Sequence, residues 1–573
     1  MDEIGFKARE RKLREIDDRI LELARETRQL QNHRNLLVPI SILPTELLGK
    51  IFTFHVVQDL SEGWDERKSE HCKWINILHV CHHWRKIAHN TPSVWSSPDF
   101  RYPDLAREMI TLSSQAALNL EMRLDRLHAE TNKKRVEVLS AALQRLSRID
   151  RLVLEQGRQH FESLLQHDLL QPAPVLRSLS FINRSASQVF LPSSFLGGEA
   201  PLLSELRLDG CHIPWDSALL QNLVVLVMDI ADHPSPPTLE QVTTTLVRMP
   251  NLEILVLRDC SPELGPEGSH DIIQTRRLRY LELSGEAAPC GELLNRLLIS
   301  SDTRVNLQCA VADDIEKKLS SSFSELMKAA ERTPKALFLR YDDEIMDGVV
   351  EISAWMTEID RDDFRLEDDV LGIEYEDSMS DLGRGLTPSS STPPYPRPPH
   401  THLRAFAEDG SSTLEHELPL KALDVTPCSQ LLYLHLAGDV LDGKEIIEYF
   451  GQLPSLRTVL FSNSCPSSLL YALNEVRAGG VYFPALHTLG FRNITFIEWS
   501  VYHPGHMHAD YLDDLMRCLD NRTSWGSPVQ RLVIRRCIDF VRGESDRRIL
   551  GKHEYLDLDW DGFQDRSSSP ELS

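Results

Sequence analysis

The sequence is short of most features that would mark a secreted, membrane, nucleic-acid-binding or catalytic protein. Its longest apolar stretch, around Leu219 to Met228, falls well below the about 20 residues needed to span a bilayer. The first residues, Met1 to Leu13, are densely charged and hold no apolar core, so they do not read as a secretory leader. Its ten cysteines include no C-x-x-C pair, and they read as reduced thiols of a cytoplasmic or nuclear protein. The sequons at Asn183, Asn493 and Asn521 are then chance matches. Basic residues are also scarce, 62 against 86 acidic, for a net charge of -24. That balance opposes non-specific binding to nucleic acid or to an anionic membrane, both polyanions, so neither is expected as a partner.

Catalytic signatures are missing too. There is no G-x-x-x-x-G-K-[ST], G-x-G-x-x-G after a strand, G-x-S-x-G or H-E-x-x-H. His71-Cys72, Cys81-His82-His83 and the loop histidines His503, His506 and His508 beside Asp510 match no standard zinc spacing. No catalytic residue, metal or cofactor is expected, and the chain reads as a non-enzyme.

What is present starts with a helix over residues 1–38. Phe6, Leu13 and Ile20 lie seven apart, and Ile16, Leu23, Leu30 and Leu37 form a companion row three residues on. That is an a/d stripe with charged flanks, ended by Pro39 and weakened at Thr27 and Arg34. It fits either a coiled coil that makes a homodimer or one amphipathic helix packed on the next domain.

Residues 39–97 form a small helical unit. Leu43-Pro44-Thr45-Glu46 opens a helix, since proline suits the first turn and glutamate the positive end of the dipole. Leu47, Leu48, Ile51 and Phe52 give it an apolar face. After a polar loop, Asp59 to Lys73, a second helix is expected from Trp74 to Ala88, with Ile77, Val80, Cys81, Trp84, Ile87 and Ala88 on one side. Thr91-Pro92-Ser93 ends it before Val94-Trp95.

From residue 98 to 541 a unit apolar-x-x-apolar-x-apolar recurs. It runs from Ile149/Leu152/Leu154 to Leu278/Leu281/Leu283, and again from Leu431/Leu434/Leu436 to Val529/Leu532/Ile534, mostly at intervals of 20 to 30 residues. The ninth position of the unit is Cys211, Cys260 and Cys537 in three cases. A small, weakly polar side chain suits the inward bend after a strand, so these thiols read as structural. The period and the ninth position resemble leucine-rich repeats. Acidic 360–381 and the Ser/Thr/Pro run 387–399 cannot bury enough apolar surface to offset ordering, so 361–400 reads as a disordered insertion. Thr387-Pro388 and Thr392-Pro393 in it are candidate sites for proline-directed kinases. Residues 542–573 read as a disordered acidic tail.

Leu43-Pro44-x-Glu46-Leu47-Leu48-x-x-Ile51-Phe52, then Val80-Cys81-x-x-Trp84-x-x-Ile87-Ala88, then Pro92-x-x-Trp95, resembles an F-box. With the repeats behind it, the chain is similar to fungal-type F-box-like proteins with C-terminal leucine-rich repeats. The resemblance implies an α/β repeat fold: an N-terminal helix, a small helical F-box and an irregular leucine-rich-repeat solenoid. It implies the substrate-recognition subunit of an SCF-type (Skp–cullin–F-box) E3 ubiquitin ligase, with the Skp adaptor and cullin complex and a protein substrate as partners. A repeat scaffold not coupled to ubiquitin transfer is the alternative. Leu43, Pro44, Leu47, Ile51, Phe52 and Trp84 are implied to meet the adaptor, with Val80, Cys81 and Trp84 the residues most suited to an internal core. Strand side chains alternate, so residues between the second and third anchors should line the concave face. Of these, His435, Leu460 and Val533 are expected to bind substrate.

Overall fold

The computed structural model describes residues 3–61, 73–124, 129–156, 158–183, 185, 187–229, 236–259, 261–264, 272–311, 333–342, 349–357, 399–407, 419–420, 422–424, 426–477, 480–499, 507–540, 545, 549 and 551–563. It divides into two compact units, Met1–Leu219 and Leu220–Ser573. Among the described residues no helix is long and apolar enough to cross a membrane.

The first unit opens with α1 (Glu3–Leu36), a helix rich in charge and laced by ion pairs such as Arg14–Glu10 at 2.7 Å. A 3-10 turn, Pro39–Ile42, leads to α2 (Thr45–Ser61). A second 3-10 turn, Lys73–Asn76, precedes α3 (Ile77–Val80) and α4 (His82–His89), and the turn Pro92–Trp95 leads to α5 (Pro103–Leu112). The single helix expected from Trp74 to Ala88 is therefore broken. Cys81 is extended, with φ -161° and ψ 170°, and its Sγ accepts the Trp84 N–H at 3.4 Å. A side chain that caps the next helix in this way offers the backbone an alternative to continuing the old one.

Four parallel strands complete this unit: β1 (Leu118–Arg123), β2 (Ile149–Gln156), β3 (Ser178–Asn183) and β4 (Glu205–Asp209). Helices Ala129–Leu143 and Arg158–His167 link the first three. The apolar anchors fall into register, Leu120–Leu152–Leu179–Leu206 beside Met122–Leu154–Phe181–Leu208, each at most 1% exposed.

Among the described residues, twelve strands of one large sheet form the body of the second unit. In chain order they are β5 (Val225–Asp229), β6 (Ile254–Arg258), β7 (Tyr280–Glu286), β8 (Arg304–Val311), β9 (Ala336–Asp342) and β10 (Val349–Trp355). They continue with β11 (Thr401–Ala407), β12 (Tyr433–Ala437), β13 (Thr458–Ser462), β14 (Thr488–Arg492), β15 (Arg531–Arg535) and β16 (Asp557–Trp560). Their spatial order is β5-β6-β7-β8-β11-β10-β9-β12-β13-β14-β15-β16. Within this sheet every pairing is parallel except those of β10, which runs against both β9 and β11. The result is an α/β unit with a large, mostly parallel sheet. Helices Leu239–Val247, Ala287–Asn295, Gly443–Phe450, Ser467–Asn474 and Tyr511–Ser524 lie between its strands in sequence and bury apolar side chains such as Val242, Leu293, Ile446, Leu469 and Leu515.

Two expectations change, and a third falls outside the described residues. The repeat pattern shows a gap from Leu283 to Leu431, yet β8 to β11 lie there; their apolar residues alternate but lack the motif's full spacing. The tail expected to carry no structure holds β16, together with buried Ile549, His553 and Leu556. Asp559 draws that strand in by bonding Arg531 and Arg535 at 2.6 Å, and Trp560 stacks edge-on to Phe540 at 5.4 Å. The insertion expected at 361–400 lies outside the described residues up to 398.

Candidate functional site

The candidate site is α2. A helix in a globular unit ordinarily hides one apolar stripe and wets the other side. This helix is apolar on both. Leu48, Phe52 and Val56 are at most 2% exposed, and they join Trp74, Ile77, Ile87, Ala88, Val94, Trp95 and Met109 in one core. On the other side Leu47, Ile51, Phe54 and Val57 are 45%, 48%, 72% and 52% exposed. Leu43, just before the helix, is 36% exposed.

Several contacts fix the helix against its own domain and leave this outer face outward. Phe52 meets Trp84 with ring centres 5.0 Å apart, and Trp74 packs edge-on to Trp95 at 5.5 Å. The Trp95 indole donates to the Ala88 carbonyl at 2.8 Å. Thr53 Oγ1 bonds Ser93 Oγ at 2.8 Å and so ties α2 to the Pro92–Trp95 turn. Gly49 sits against that same turn: a β-carbon there would press on Thr91 Oγ1 at 2.9 Å. Between helix and turn runs an open groove of about 390 Å³, bordered by Glu46, Lys50, Phe54 and Val57.

Of the residues expected at an adaptor surface, Leu43, Pro44, Leu47 and Ile51 are exposed. Phe52 is not: it is 2% exposed, because it lies one position round the helix from Ile51 and points into the aromatic core. Trp84 is partly buried against the same core. Val80, grouped with the core residues by spacing, is instead 56% exposed, a consequence of the break at Cys81. Phe54 and Val57 extend this exposed side of α2, Phe54 seven residues after Leu47 and Val57 one helical turn beyond Phe54.

The residues expected to take substrate lie on one row of the second unit's sheet. Across the strands this row reads Val227, Val256, Glu282, Asn306, His402, Ser353, Phe338, His435, Leu460, Gly490, Val533 and Asp559. Leu460 and Val533 are partly exposed. His435 is 2% exposed and so is not available at the surface: its Nε2 bonds Ser462 Oγ at 2.8 Å, and its ring packs on Phe338. Burial, then nearby Arg492, pushes its pKa down to about 3, so the ring is neutral. His402 is likewise held neutral, its pKa pushed down to about 4 by burial and then by Arg404; this outweighs Glu351, 3.7 Å from its ring. Glu282, 2% exposed, pairs with Arg258 at 2.8 Å and takes a hydrogen bond from the Tyr280 hydroxyl at 2.6 Å.

The ninth-position thiols Cys211 and Cys537 are at most 1% exposed, and burial raises both above the ordinary thiol range, Cys537 to about 11. Cys260 lies outside the described residues. No group of three or more metal-binding side chains is assembled among the described residues, which exclude His71, Cys72, His503 and His506.

A family model described as F-box-like matches residues 40–101. The chain therefore carries an F-box-like domain, and α2 to α4 with the Pro92–Trp95 turn are its body. F-box domains are adaptor modules, typically non-catalytic, that bind the Skp subunit of SCF ubiquitin ligases. No curated protein matches the chain.

Proposed function

We propose that this chain is the substrate-recognition subunit of an SCF-type E3 ubiquitin ligase. The observation that carries the reading is the two-faced helix α2 within the F-box-like match. One face builds the domain, and the other leaves Leu47, Ile51, Phe54 and Val57 exposed with Leu43 beside them. An apolar surface of that kind, on a rigid helix, suits burial against a partner. The Skp adaptor is that partner in this reading, and the cullin complex follows from it.

The repeats of both units read as leucine-rich repeats, stacked so that strand anchors form the core. The row containing Leu460 and Val533 is read as the substrate surface. The mechanism is proximity: the receptor holds a substrate where a charged ubiquitin carrier can reach its lysines, raising their effective concentration. The chain supplies no chemistry of its own and works in cytoplasm or nucleus. The exposed stripe of α1 is read as a surface for self-association.

The test is a pull-down with purified Skp adaptor. Leu47→Asp with Ile51→Asp places two charges in the proposed interface and should abolish capture, while the melting temperature stays within a degree or two of wild type because both side chains are exposed. Undiminished capture would remove the adaptor reading and leave a repeat scaffold not coupled to ubiquitin transfer.

A further inference from the structure

The apolar stripe of α1 is uncovered. Leu13, Ile16, Ile20, Leu23 and Leu30 are 46% to 67% exposed. A helix with no tertiary packing on its apolar side forgoes the main source of helix stability in water. The spacing of the stripe says what kind of surface would cover it. From Leu13 to Leu37 its positions advance by alternating steps of three and four, a strict repeat of seven. A straight helix drifts about 20° per heptad relative to that repeat. A flat groove would lose the stripe over α1's length, whereas a second helix that supercoils with it would follow.

The flanking residues suit a second copy of this helix. With Leu13 and Ile20 at a positions, Lys12 is a g residue and Asp17 the e residue of the next heptad. Two parallel copies in register set each Lys12 against the other copy's Asp17. The following g–e pairs, Arg19 with Ala24 and Glu26 with Gln31, bring no like charges together. Antiparallel copies centred on Ile20 and Leu23 would instead face Ile16 with Thr27 in two layers. Parallel copies gather Thr27 into one layer, where the two hydroxyls can bond each other. Antiparallel copies would pair Arg19 with Glu26 as parallel ones pair Lys12 with Asp17, and both arrangements face arginine with arginine twice, at Arg9 and Arg34, so the choice rests on Thr27.

We propose that α1 joins two copies of this chain in a parallel, in-register, two-stranded coiled coil whose seam runs from Leu13 to Leu30. The inference rests on the reading of α1 as a self-association surface and gives it an orientation and a register. Parallel pairing brings the C-terminal ends of both α1 helices together, and with them two F-box-like domains. One assembly then offers two adaptor surfaces and two substrate surfaces, which favours substrates with repeated or paired recognition segments.

The experiment uses the full chain in sedimentation equilibrium at tens of micromolar. Wild type should sediment at twice 65.4 kDa, and Ile16→Asp with Leu23→Asp should return it to 65.4 kDa. The variant keeps its fold because both positions are exposed; an unchanged melting temperature checks this. Under mild oxidation Ile20→Cys should form a covalent dimer, while wild type and Arg14→Cys, on the outer face, should not. A monomeric wild type, an assembly larger than two, or a dimer that survives the double aspartate variant overturns the proposal. Equal cross-linking at positions 20 and 14 overturns the seam. Cross-linking only when Ile20→Cys and Leu23→Cys are mixed overturns the parallel orientation. Adaptor pull-down with the same variants keeps the two ideas apart: lost Skp binding in wild type defeats the receptor reading without touching the seam.

Discussion

Asn306 is the residue most at odds with its surroundings. It is 3% exposed, and neither its Oδ1 nor its Nδ2 has a hydrogen-bond partner among the described residues. A buried amide left unbonded costs about 1–3 kcal/mol, so an apolar side chain of similar size should be better tolerated than the native one. Asn306→Leu is expected to raise the melting temperature by about 2–4 °C in a thermal scan; a fall would mean that the amide is bonded in solution. Two other residues of the same row, His402 and His435, tie stability to pH. Both stay neutral when folded, with pKa values pushed down to about 4 and about 3 chiefly by burial. In the unfolded chain each takes up a proton below about pH 6.5. The unfolded state then binds more protons, so this contribution to stability is whole above that pH and shrinks as pH falls toward 4. Melting temperatures measured at pH 7 and pH 5 should show the loss, and His402→Asn with His435→Asn should flatten it.

Among the elements, the turn after β12 and the C-terminal strand β16 carry constraints that spacing does not reveal. Gly438 has φ +76°, and a β-carbon there would collide with the Tyr341 carbonyl oxygen. Backbone cannot yield as a side-chain tip can, so Gly438→Ala should destabilise the second unit by about 1–3 kcal/mol, read as an earlier midpoint in urea. Strand β16 closes the edge of the sheet beside β15. Burial alone would push the Asp559 carboxyl up, but hydrogen bonds from Arg535 and Arg531 outweigh it and hold its pKa below the ordinary value. Ending the chain after Phe540 removes β16, uncovers the Phe540 ring and leaves both arginines without Asp559. That truncation should lower the melting temperature; a dispensable tail would leave it unchanged.

For the molecule as a whole, the proposed division of labour places recognition on this chain and chemistry on other subunits. Burial pushes the Cys518 thiol up to about 12 and Cys537 to about 11, so neither of these two is a ready thiolate. On the proposed adaptor role, incubation with ubiquitin-activating enzyme, a charged carrier and ubiquitin should produce no thiol-sensitive ubiquitin adduct on this chain. Such an adduct would point to a catalytic ligase and away from an adaptor.

The local patterns of the sequence were enough for the helix stripe of α1, the F-box-like domain and the strands whose anchors follow the repeating unit. In each, side chains on a fixed period must share one face, and the chain itself sets that period. The sequence did not distinguish the two sides of α2, because Leu47, Leu48, Ile51 and Phe52 form one broad apolar face that gives no sign of which residues meet their own domain; packing of Phe52 on Trp84 decided that. It did not show the break at Cys81 either, where a cap bond competes with helix continuation. Nor did it show β8 to β11, since the reversed strand β10 is held by partners from both sides and not by a repeat of its own. The burial of His435 was likewise hidden, because alternation along a strand says which face a side chain takes, and only Phe338 and Ser462 on the neighbouring strands decide whether that face is open.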